Sequence, residues 1–550
     1  MSPDKPKRFH IWMPLIYSII LVLGIFVGFQ INKYMGRKRP LSNIIERNDR
    51  LEDIIDLVNT RYVDSVSTDS LYTDAINGIL GRLDPHTTYI PAAEMVAATE
   101  DLEGNFKGIG IEYCLLQDTL MVTAVIKGGP SVEAGLKPGD QIIRINDSLV
   151  SGINISNDGI VRKLGGAEGS GVQLSVLRRS NTAPVAISVR RGVVPIYSVE
   201  AAYMMDKSTG YIRINRFSAT TYREFLKALD NLKSQGMLQL MLDLRQNPGG
   251  YVDAATAIAD ELLGKGKMLV YTEGRASQKE DYVSDHAGKF EKGRLVVLVD
   301  EGSASASEIL AGAVQDWDRG VIAGRRTYGK GLVQEQFELG DGAALRLTIA
   351  RYFTPSGRSI QRPYTGGRAA YAKAFEHRYV DGSLTLDSDT AIPAGAARYY
   401  TKVKKRVVYG GGGIKPDITI PYEVNEAAAE LYHLLSAQEL NETVYGYFAQ
   451  HDTEFWAYRS IGQFDAGFQV KGALENALRN AFSRKYPAAT RAVWGNARAL
   501  QVLQARVKGL IAKMLFRTNG YYREINQQDE VVKRAYDIIS GSEYSAIIGG

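Results

Sequence analysis

Three serines and a lysine are the residues of this chain whose types and spacing best suit chemistry. The serines lie in segment 301–308 (EGSASASE), and Lys330 follows in the tetrapeptide YGKG. No histidine occurs between His286 and His377, so a histidine base close in sequence is not expected. A desolvated lysine can lose its proton near neutral pH. The pattern therefore favours a serine hydrolase whose base is lysine rather than histidine.

The local pattern leaves open which serine would react. The apolar run at 295–299 predicts a strand buried on both faces, and a helix is expected from Glu308 onwards. A strand-to-helix turn places a hydroxyl where the helix dipole favours developing negative charge. However, Ser305 and Glu308 also form a capping box, which would give Ser305 a structural role. Patterning alone does not choose among Ser303, Ser305 and Ser307.

Lys330 has a candidate partner four residues further on. Strand alternation would place Lys330, Leu332 and Gln334 on one face, where Gln334 could orient the amine. The alternative is a solvated surface lysine, the default for this residue type. Segment 324–331 also nearly matches the phosphate-binding pattern GxxxxGK[ST], but Gly331 replaces the hydroxyl that would hold magnesium. A nucleotide-binding function is therefore disfavoured.

The composition is that of an ordinary globular protein. Of its 550 residues 45% are hydrophobic and 23% charged, and the formal net charge is +5. This length predicts about three to four domains, and so small a charge gives no case for nucleic acid. Cys114 is the single cysteine, and the six histidines show no metal-binding spacing. We therefore expect no disulfide, no metal and no cofactor.

The N-terminal region departs from this ordinary composition. Residues 11–31 are almost wholly apolar, a length that suits a membrane-spanning helix. Basic residues precede the segment, and no small-x-small cleavage site follows, which favours an uncleaved anchor over a signal peptide. A buried core helix is the alternative. Basic residues also flank the far side, so charge does not decide the orientation.

Residues 104–192 consist of short β-type runs separated by turns rich in glycine, proline and aspartate. Segment 131–140 (SVEAGLKPGD) and the preceding loop of Gly108, Ile109, Gly110 and Ile111 resemble a PDZ domain. In that family the loop's backbone N–H groups hold the terminal carboxylate of a peptide, which adds to the sheet as a strand. The alternative is a β-rich domain with ordinary glycine turns.

The rest of the chain divides by pattern into three parts. Residues 193–360 alternate strand and helix patterns, which predicts an α/β domain with a largely parallel sheet. Residues 362–409 are irregular, and the pattern from about 425 to 545 is helical. Upstream, the turn at 83–88 contains His86, which we interpret as a structural turn histidine rather than a ligand.

Taken together, the motifs resemble the carboxy-terminal processing peptidases, also called tail-specific proteases. The matching segments are 83–88 (LDPHTT), the PDZ stretch, 243–250 (DLRQNPGG), 299–309 (VDEGSASASEI) and 328–334 (YGKGLVQ), in the family's order. The resemblance implies that Ser305 is the nucleophile, Lys330 the general base and Gln334 the residue that positions it. It also implies an oxyanion hole built from the backbone N–H groups of Ala306 and Gly249.

The resemblance further implies a multidomain α/β chain with a crotonase-like α/β peptidase core and an inserted β-rich PDZ domain. We expect a signal anchor at 1–40 with a transmembrane helix at about 11–31, a helical segment at 41–103, the PDZ domain at 104–192, the protease core at 193–425 and a helical C-terminal domain at 426–550. In simpler members the segment 353–360 is soon followed by a Gly-Ile-x-Pro-Asp element, whereas residues 362–409 intervene here.

The expected function is that of a membrane-anchored serine endopeptidase that binds protein C-termini and cleaves through an acyl-enzyme. The resemblance implies peptide or protein substrates with exposed C-termini, and leaves room for a homo-oligomer or an adaptor. We expect a single-pass protein of the bacterial inner membrane with its bulk in the periplasm. The alternative is a catalytically silent PDZ scaffold or adaptor of the envelope, and the intact Ser305, Lys330 and Gln334 argue against it.

Overall fold

The computed structural model describes residues 50–178, 183–380, 382, 384, 396–422 and 426–549. The chain divides into two compact units, 1–76 and 77–550. Helix α1 (Arg50–Arg61) lies in the first unit, and α2 (Thr68–Leu80) begins there. None of the helices in these ranges is both long and apolar enough to cross a bilayer. The expected membrane helix at 11–31 lies outside the described residues and stays a prediction.

A six-stranded sheet forms the centre of the second unit. Its strands, in spatial order, are β10 (Val199–Met204), β11 (Thr209–Ile214), β12 (Gln239–Asp243), β15 (Arg294–Val299), β16 (Val321–Gly324) and β21 (Ile418–Thr419). β10 runs antiparallel to β11 and every other pair is parallel. Apart from Arg294, strands β15 and β16 are wholly apolar, as expected for strands whose two faces are both covered by helices. The largely parallel α/β architecture expected from the sequence is therefore confirmed.

Helices cover the two faces of this sheet from different parts of the chain. On one face lie α6 (Thr221–Ser234), α7 (Val252–Leu262) and α8 (Ala306–Asp316). The other face is covered by the last two helices, α17 (Glu530–Ser540) and α18 (Ser542–Ile548). The end of the chain thus completes the core of the α/β domain. Arg245, which follows β12, donates to the Asp529 carboxylate at 2.9 Å and fixes the start of α17.

A second, antiparallel sheet lies beside the first. It contains β1 (Thr88–Ile90), β18 (Ala344–Phe353), β13 (Met268–Glu273), β14 (Glu280–Val283) and β17 (Leu332–Glu338). The long strand β18 pairs with β1, β13 and β17. This pairing brings the turn at 83–88, which precedes β1, close to the strand that follows Lys330.

The PDZ region is a separate small sheet. Helix α3 (Ala92–Glu103) precedes it. Its elements are β2 (Asn105–Gly108), β3 (Ile111–Leu116), β4 (Thr119–Val125), α4 (Pro130–Glu133), β5 (Gln141–Ile145), β6 (Ser148–Leu149), α5 (Asn157–Leu164), β7 (Gly171–Leu177), β8 (Val185–Arg190) and β9 (Gly192–Pro195). The order β3-β4-β5-β7-β8 leaves β3 at an edge. β2 pairs instead with β9.

The remaining elements lie between β18 and α17. They are α9 (Gly367–Glu376), a 3₁₀ turn (His377–Tyr379), β19 (Arg398–Tyr400), β20 (Val407–Tyr409), α10 (Glu426–Ser436), α11 (Gln438–Gln450), α12 (Asp452–Phe455), α13 (Ile461–Gly467), α14 (Ala473–Lys485), α15 (Pro487–Trp494) and α16 (Ala497–Asn526). Helices α10 to α16 pack around an apolar core that also includes Met121 of β4. The predicted helical C-terminal region is confirmed, and the domain bounds given above stay predictions.

Candidate active site

Two of the three candidate serines have structural hydroxyls. Ser303 is fully buried, and its Oγ donates to Leu244 O at 2.8 Å while it accepts the N–H of Asp300 at 2.9 Å. Ser307 is also fully buried, and its Oγ donates to the carbonyl of Asn247 at 3.0 Å. Both hydroxyls thus hold loops together. Ser305 is the member of the set with a partly exposed side chain.

Ser305 has an unusual backbone conformation. It lies directly before α8 with φ 55° and ψ −115°, a region that residues with a Cβ rarely adopt. Its N–H donates to Oε2 of Glu308 at 2.9 Å, as the capping-box pattern predicts for the main chain. Such strain persists where surrounding contacts impose it, and it is frequent at active sites. The turn presents Ser305 at the helix N-terminus.

Lys330 lies in the loop before β17, where its side chain meets Gln334. The ammonium Nζ donates to Oε1 of Gln334 at 2.7 Å. The strand begins at Leu332 and its pairing shifts between Val333 and Gln334. Within the described part of the chain no hydrogen bond joins Lys330 Nζ to Ser305. The structure therefore brings Lys330 and Gln334 together as the sequence predicts, with the amine not yet engaged by the serine.

The surroundings of Lys330 favour its neutral form. Burial, and then the Arg346 guanidinium, lower the pKa of Lys330, against the opposing charges of Asp84 and Glu308. A lysine whose pKa lies below its usual range has a larger share of free amine at neutral pH. This is the property that a general base needs.

Glu308 is a site residue whose full role the sequence does not reveal. Its side chain is fully buried, and its carboxylate accepts the N–H groups of Ser305 and Lys330 at 2.9 Å each. It also accepts the Gly329 N–H at 2.8 Å and the Thr327 hydroxyl at 2.5 Å. Burial raises the pKa of Glu308 to about 7 despite these four donors. The capping-box pattern signals only the bond to Ser305.

The backbone around Ser305 supplies candidate oxyanion donors. No acceptor for the Ala306 N–H exists among the described residues, which suits the role that the resemblance implies. Gly249 lies against the turn at Ser305: with φ +101°, a Cβ there would lie 2.7 Å from that of Ser305. The Gly249 N–H, however, donates to Oδ1 of Asn247 at 2.9 Å. The N–H of the next residue, Gly250, has no acceptor in the described ranges.

The predicted peptide-binding loop connects two strands of the PDZ region. Gly108 ends β2, Ile111 begins β3, and Gly110 has φ +78°. The carbonyls of Ile109 and Gly110 accept bonds from elsewhere in the domain. Their N–H groups have no acceptor in the part of the chain that the structure describes. A loop with free N–H groups beside an edge strand suits a terminal carboxylate followed by an added strand.

Comparisons with known proteins identify the family of this chain. The model of peptidase family S41 matches residues 208–366, and that of the PDZ domain matches residues 108–189. A carboxy-terminal-processing protease of Bartonella bacilliformis is 35% identical over 324 residues, which cover 58% of this chain and 74% of that protein. The carboxy-terminal processing protease CtpA of Bacillus subtilis is 31% identical over 396 residues, or 72% and 83% of the two chains. The chain belongs to the carboxy-terminal processing proteases.

This membership confirms the resemblance drawn from the motifs and identifies a serine peptidase of family S41 that carries a PDZ domain. Among solved structures, a photosystem II D1 C-terminal processing protease is similar with 28% identity and a TM-score of 0.33, over 58% of this chain and 91% of the other. The five matching segments of the sequence thus led to the correct family.

Proposed function

We propose that the protein is an endopeptidase that captures protein C-termini in its PDZ domain and cleaves them with a Ser305–Lys330 dyad. The observation that carries this proposal is the shared acceptor: the backbone N–H groups of Ser305 and Lys330 both donate to Glu308 Oε2. One buried carboxylate therefore holds the nucleophile turn next to the loop of a lysine with a lowered pKa.

In the proposed reaction, the neutral amine of Lys330 takes the Oγ proton of Ser305 as Oγ bonds to the substrate carbonyl carbon. Lys330 then gives this proton to the leaving amine as the C–N bond breaks, which leaves an acyl-enzyme. Water attacks the ester, its proton passes to Lys330, and Ser305 recovers a proton as the acid leaves. The Ala306 N–H and an N–H of the glycine pair 249–250 would stabilise the oxyanion.

The PDZ region supports capture of a C-terminus followed by presentation to this site. The loop of Gly108, Ile109, Gly110 and Ile111 would bind the carboxylate, and the edge strand β3 would pair with the residues before it. Because Lys330 bonds to Gln334 and not to Ser305, we further propose that peptide binding completes the dyad. Membrane anchoring through 11–31, a periplasmic location, and an oligomer or adaptor are carried as proposals from the sequence.

The test uses the purified full-length chain and an unstructured protein that ends in apolar residues. Wild type should cleave it, and Ser305→Ala and Lys330→Met should not, while Ser303→Ala serves as a matched serine control. When a peptide with a free C-terminus is present, a fluorophosphonate that reacts with activated serines should label Ser305 in wild type, as mass spectrometry of the peptides would show. Cleavage that persists in Ser305→Ala and Lys330→Met would exclude the dyad. Binding of the substrate without cleavage by wild type would favour the PDZ scaffold.

The C-terminal preference has its own control. The same substrate with an amidated C-terminus should be cleaved more slowly, because the loop N–H groups then lose a charged acceptor. Equal rates for the free acid and the amide would exclude capture through the carboxylate. For the location, a reporter that works only in the periplasm should be active when it is fused after residue 550. A reporter that works only in the cytoplasm should be inactive in the same place.

A further inference from the structure

Helix α9 belongs to the stretch 362–409, which the sequence pattern marks as irregular. It begins at Gly367, directly after the end of the residues matched by the S41 model at 366. It therefore lies outside the residues that the S41 model matches. Two of its side chains, Arg368 and Tyr371, contact the turn at 83–88.

Arg368 holds the backbone of that turn. Its Nη2 donates to the carbonyls of Leu80, Asp84 and Thr87, at 3.2, 3.4 and 2.5 Å. Within the turn, the buried Asp84 carboxylate accepts the N–H groups of His86 and Thr87 at 2.8 and 3.0 Å. The turn is therefore fixed both from inside and from α9.

Tyr371 holds the side chain of His86. The buried Tyr371 hydroxyl lies 3.1 Å from His86 Nε2, and the two rings meet edge to face with centroids 5.4 Å apart. The same hydroxyl accepts from Gln361 Nε2 at 3.3 Å, and Oε1 of Gln361 accepts the Gly331 N–H at 2.8 Å. Tyr371 thus connects the turn with the residue that follows the catalytic lysine.

The carbonyl of His86 decides which way the Gln334 amide faces. Gln334 Nε2 donates to His86 O at 2.5 Å, and Oε1 accepts from Lys330 Nζ at 2.7 Å. A backbone carbonyl is solely an acceptor, so the amide nitrogen must face it, and the amide oxygen must face Lys330. With one amine hydrogen held in this way, the orientation of the Lys330 lone pair is restricted. Without the His86 carbonyl, the amide could turn and direct its NH₂ group at the amine.

We propose that α9 is a positioning element of the active site: Arg368 and Tyr371 hold the His86 turn, its carbonyl orients Gln334, and Gln334 orients the amine of Lys330. This inference rests on the proposed Ser305–Lys330 dyad. Arg368 and Tyr371 touch neither substrate nor the reacting atoms, and act through Gln334. A helix that lies outside the residues matched by the S41 model would then tune the catalytic base.

The test compares Arg368→Ala and Tyr371→Phe with Lys373→Ala, an exposed position on the same helix, in peptide cleavage over a range of pH. We expect kcat to fall about ten-fold in the first two variants, with KM unchanged, because the base is misoriented while the substrate still binds. The acid limb of kcat should also move to lower pH. An amide oxygen stabilises the charged amine, so its loss lowers the pKa of Lys330. Lys373→Ala should behave as wild type.

A double-mutant comparison separates positioning from general destabilisation. In a Gln334→Ala background the further change Arg368→Ala should have little effect on kcat, because the residue through which it acts is gone. An undiminished ten-fold loss in that background, or an unmoved acid limb in both single variants, would overturn the inference. If Arg368→Ala does not fold, Tyr371→Phe carries the test, since it removes a single hydroxyl. Wild type that fails to cleave would instead overturn the proposed function, and this inference with it.

Discussion

The backbone N–H groups of Ser305 and Lys330 donate to the same atom, Oε2 of Glu308, at 2.9 Å each. Ser305 lies directly before the helix that carries Glu308, whereas Lys330 belongs to a loop that follows the next strand of the sheet. The other carboxylate oxygen of Glu308 accepts from Thr327 and Gly329 in that loop. The geometry of the candidate dyad therefore depends on a buried side chain that need not take part in the reaction.

Replacing Glu308 with glutamine should separate this positioning role from folding. The amide has one acceptor oxygen, so its NH₂ group must face N–H or O–H donors on one side, and each unsatisfied buried donor costs about 1–3 kcal/mol. We expect kcat in Glu308→Gln to fall by at least about 100-fold while circular dichroism still reports a folded chain. Glu335→Gln, at an exposed position on β17, is the matched control. Wild-type kcat in Glu308→Gln would contradict this role.

The sequence predicted local relationships well and distant ones poorly. The capping box correctly paired Ser305 with Glu308. Strand alternation predicted that Gln334 meets Lys330, and the two side chains do meet, although Lys330 lies in the loop before the strand. The hydroxyls of Ser303 and Ser307 donate hydrogen bonds to carbonyls of loops that are distant in sequence. The local pattern therefore could not choose among the three serines. The reach of Glu308 to Lys330 likewise depends on how the two loops pack.

The positions of α17, α18 and α9 also depend on contacts that are distant in sequence, and the sequence did not predict them. The sequence predicts α17 and α18 as part of a helical C-terminal domain, because an amphipathic pattern does not indicate which surface a helix covers. In the structure they cover a face of the central sheet. The irregular composition of residues 362–409 likewise concealed α9, whose contacts with the His86 turn join segments about 280 positions apart in sequence.

The serine set offers a second prediction. Ser303→Ala removes a buried hydroxyl that donates to Leu244 O and accepts from Asp300 N, so the free energy of unfolding should fall by about 1–3 kcal/mol. Catalysis by the folded fraction should remain, because Ser303 has no free hydroxyl for attack. Urea unfolding and kcat measured on the same preparation check both parts. A stable but inactive Ser303→Ala would show that the nucleophile is wrongly assigned.

The charge of Arg346 provides a third prediction, about pH. Arg346 lowers the pKa of Lys330, and so Arg346→Met should raise that pKa and move the acid limb of kcat to higher pH. Because the two groups interact through space, added salt should reduce the difference between wild type and variant. Arg351→Met removes an exposed charge from the same strand, β18, and is the control. An acid limb that is identical in wild type and Arg346→Met would exclude this electrostatic effect.

His86 yields a fourth prediction, about stability in acid. Burial, and then the charge of Lys330, lower the pKa of His86 to about 4; Arg362 and Arg368 act in the same direction, and Asp84 opposes them. Between about pH 6.5 and pH 4 the unfolded chain therefore binds a proton that the folded chain does not. The stability contributed by neutral His86 is complete above pH 6.5 and is lost as the pH falls, with a slope of at most about 1.4 kcal/mol per pH unit.

The measurement is urea unfolding of wild type and His86→Gln at pH 7 and pH 5. The difference in unfolding free energy between the two proteins should shrink at pH 5, because glutamine does not titrate and most other groups cancel in the comparison. His433→Gln, which replaces an exposed histidine of α10, is the control. It should change the unfolding free energy by the same amount at pH 7 and at pH 5. A wild-type advantage over His86→Gln that is the same at both pH values would mean that His86 takes up its proton in the folded chain as readily as in the unfolded one.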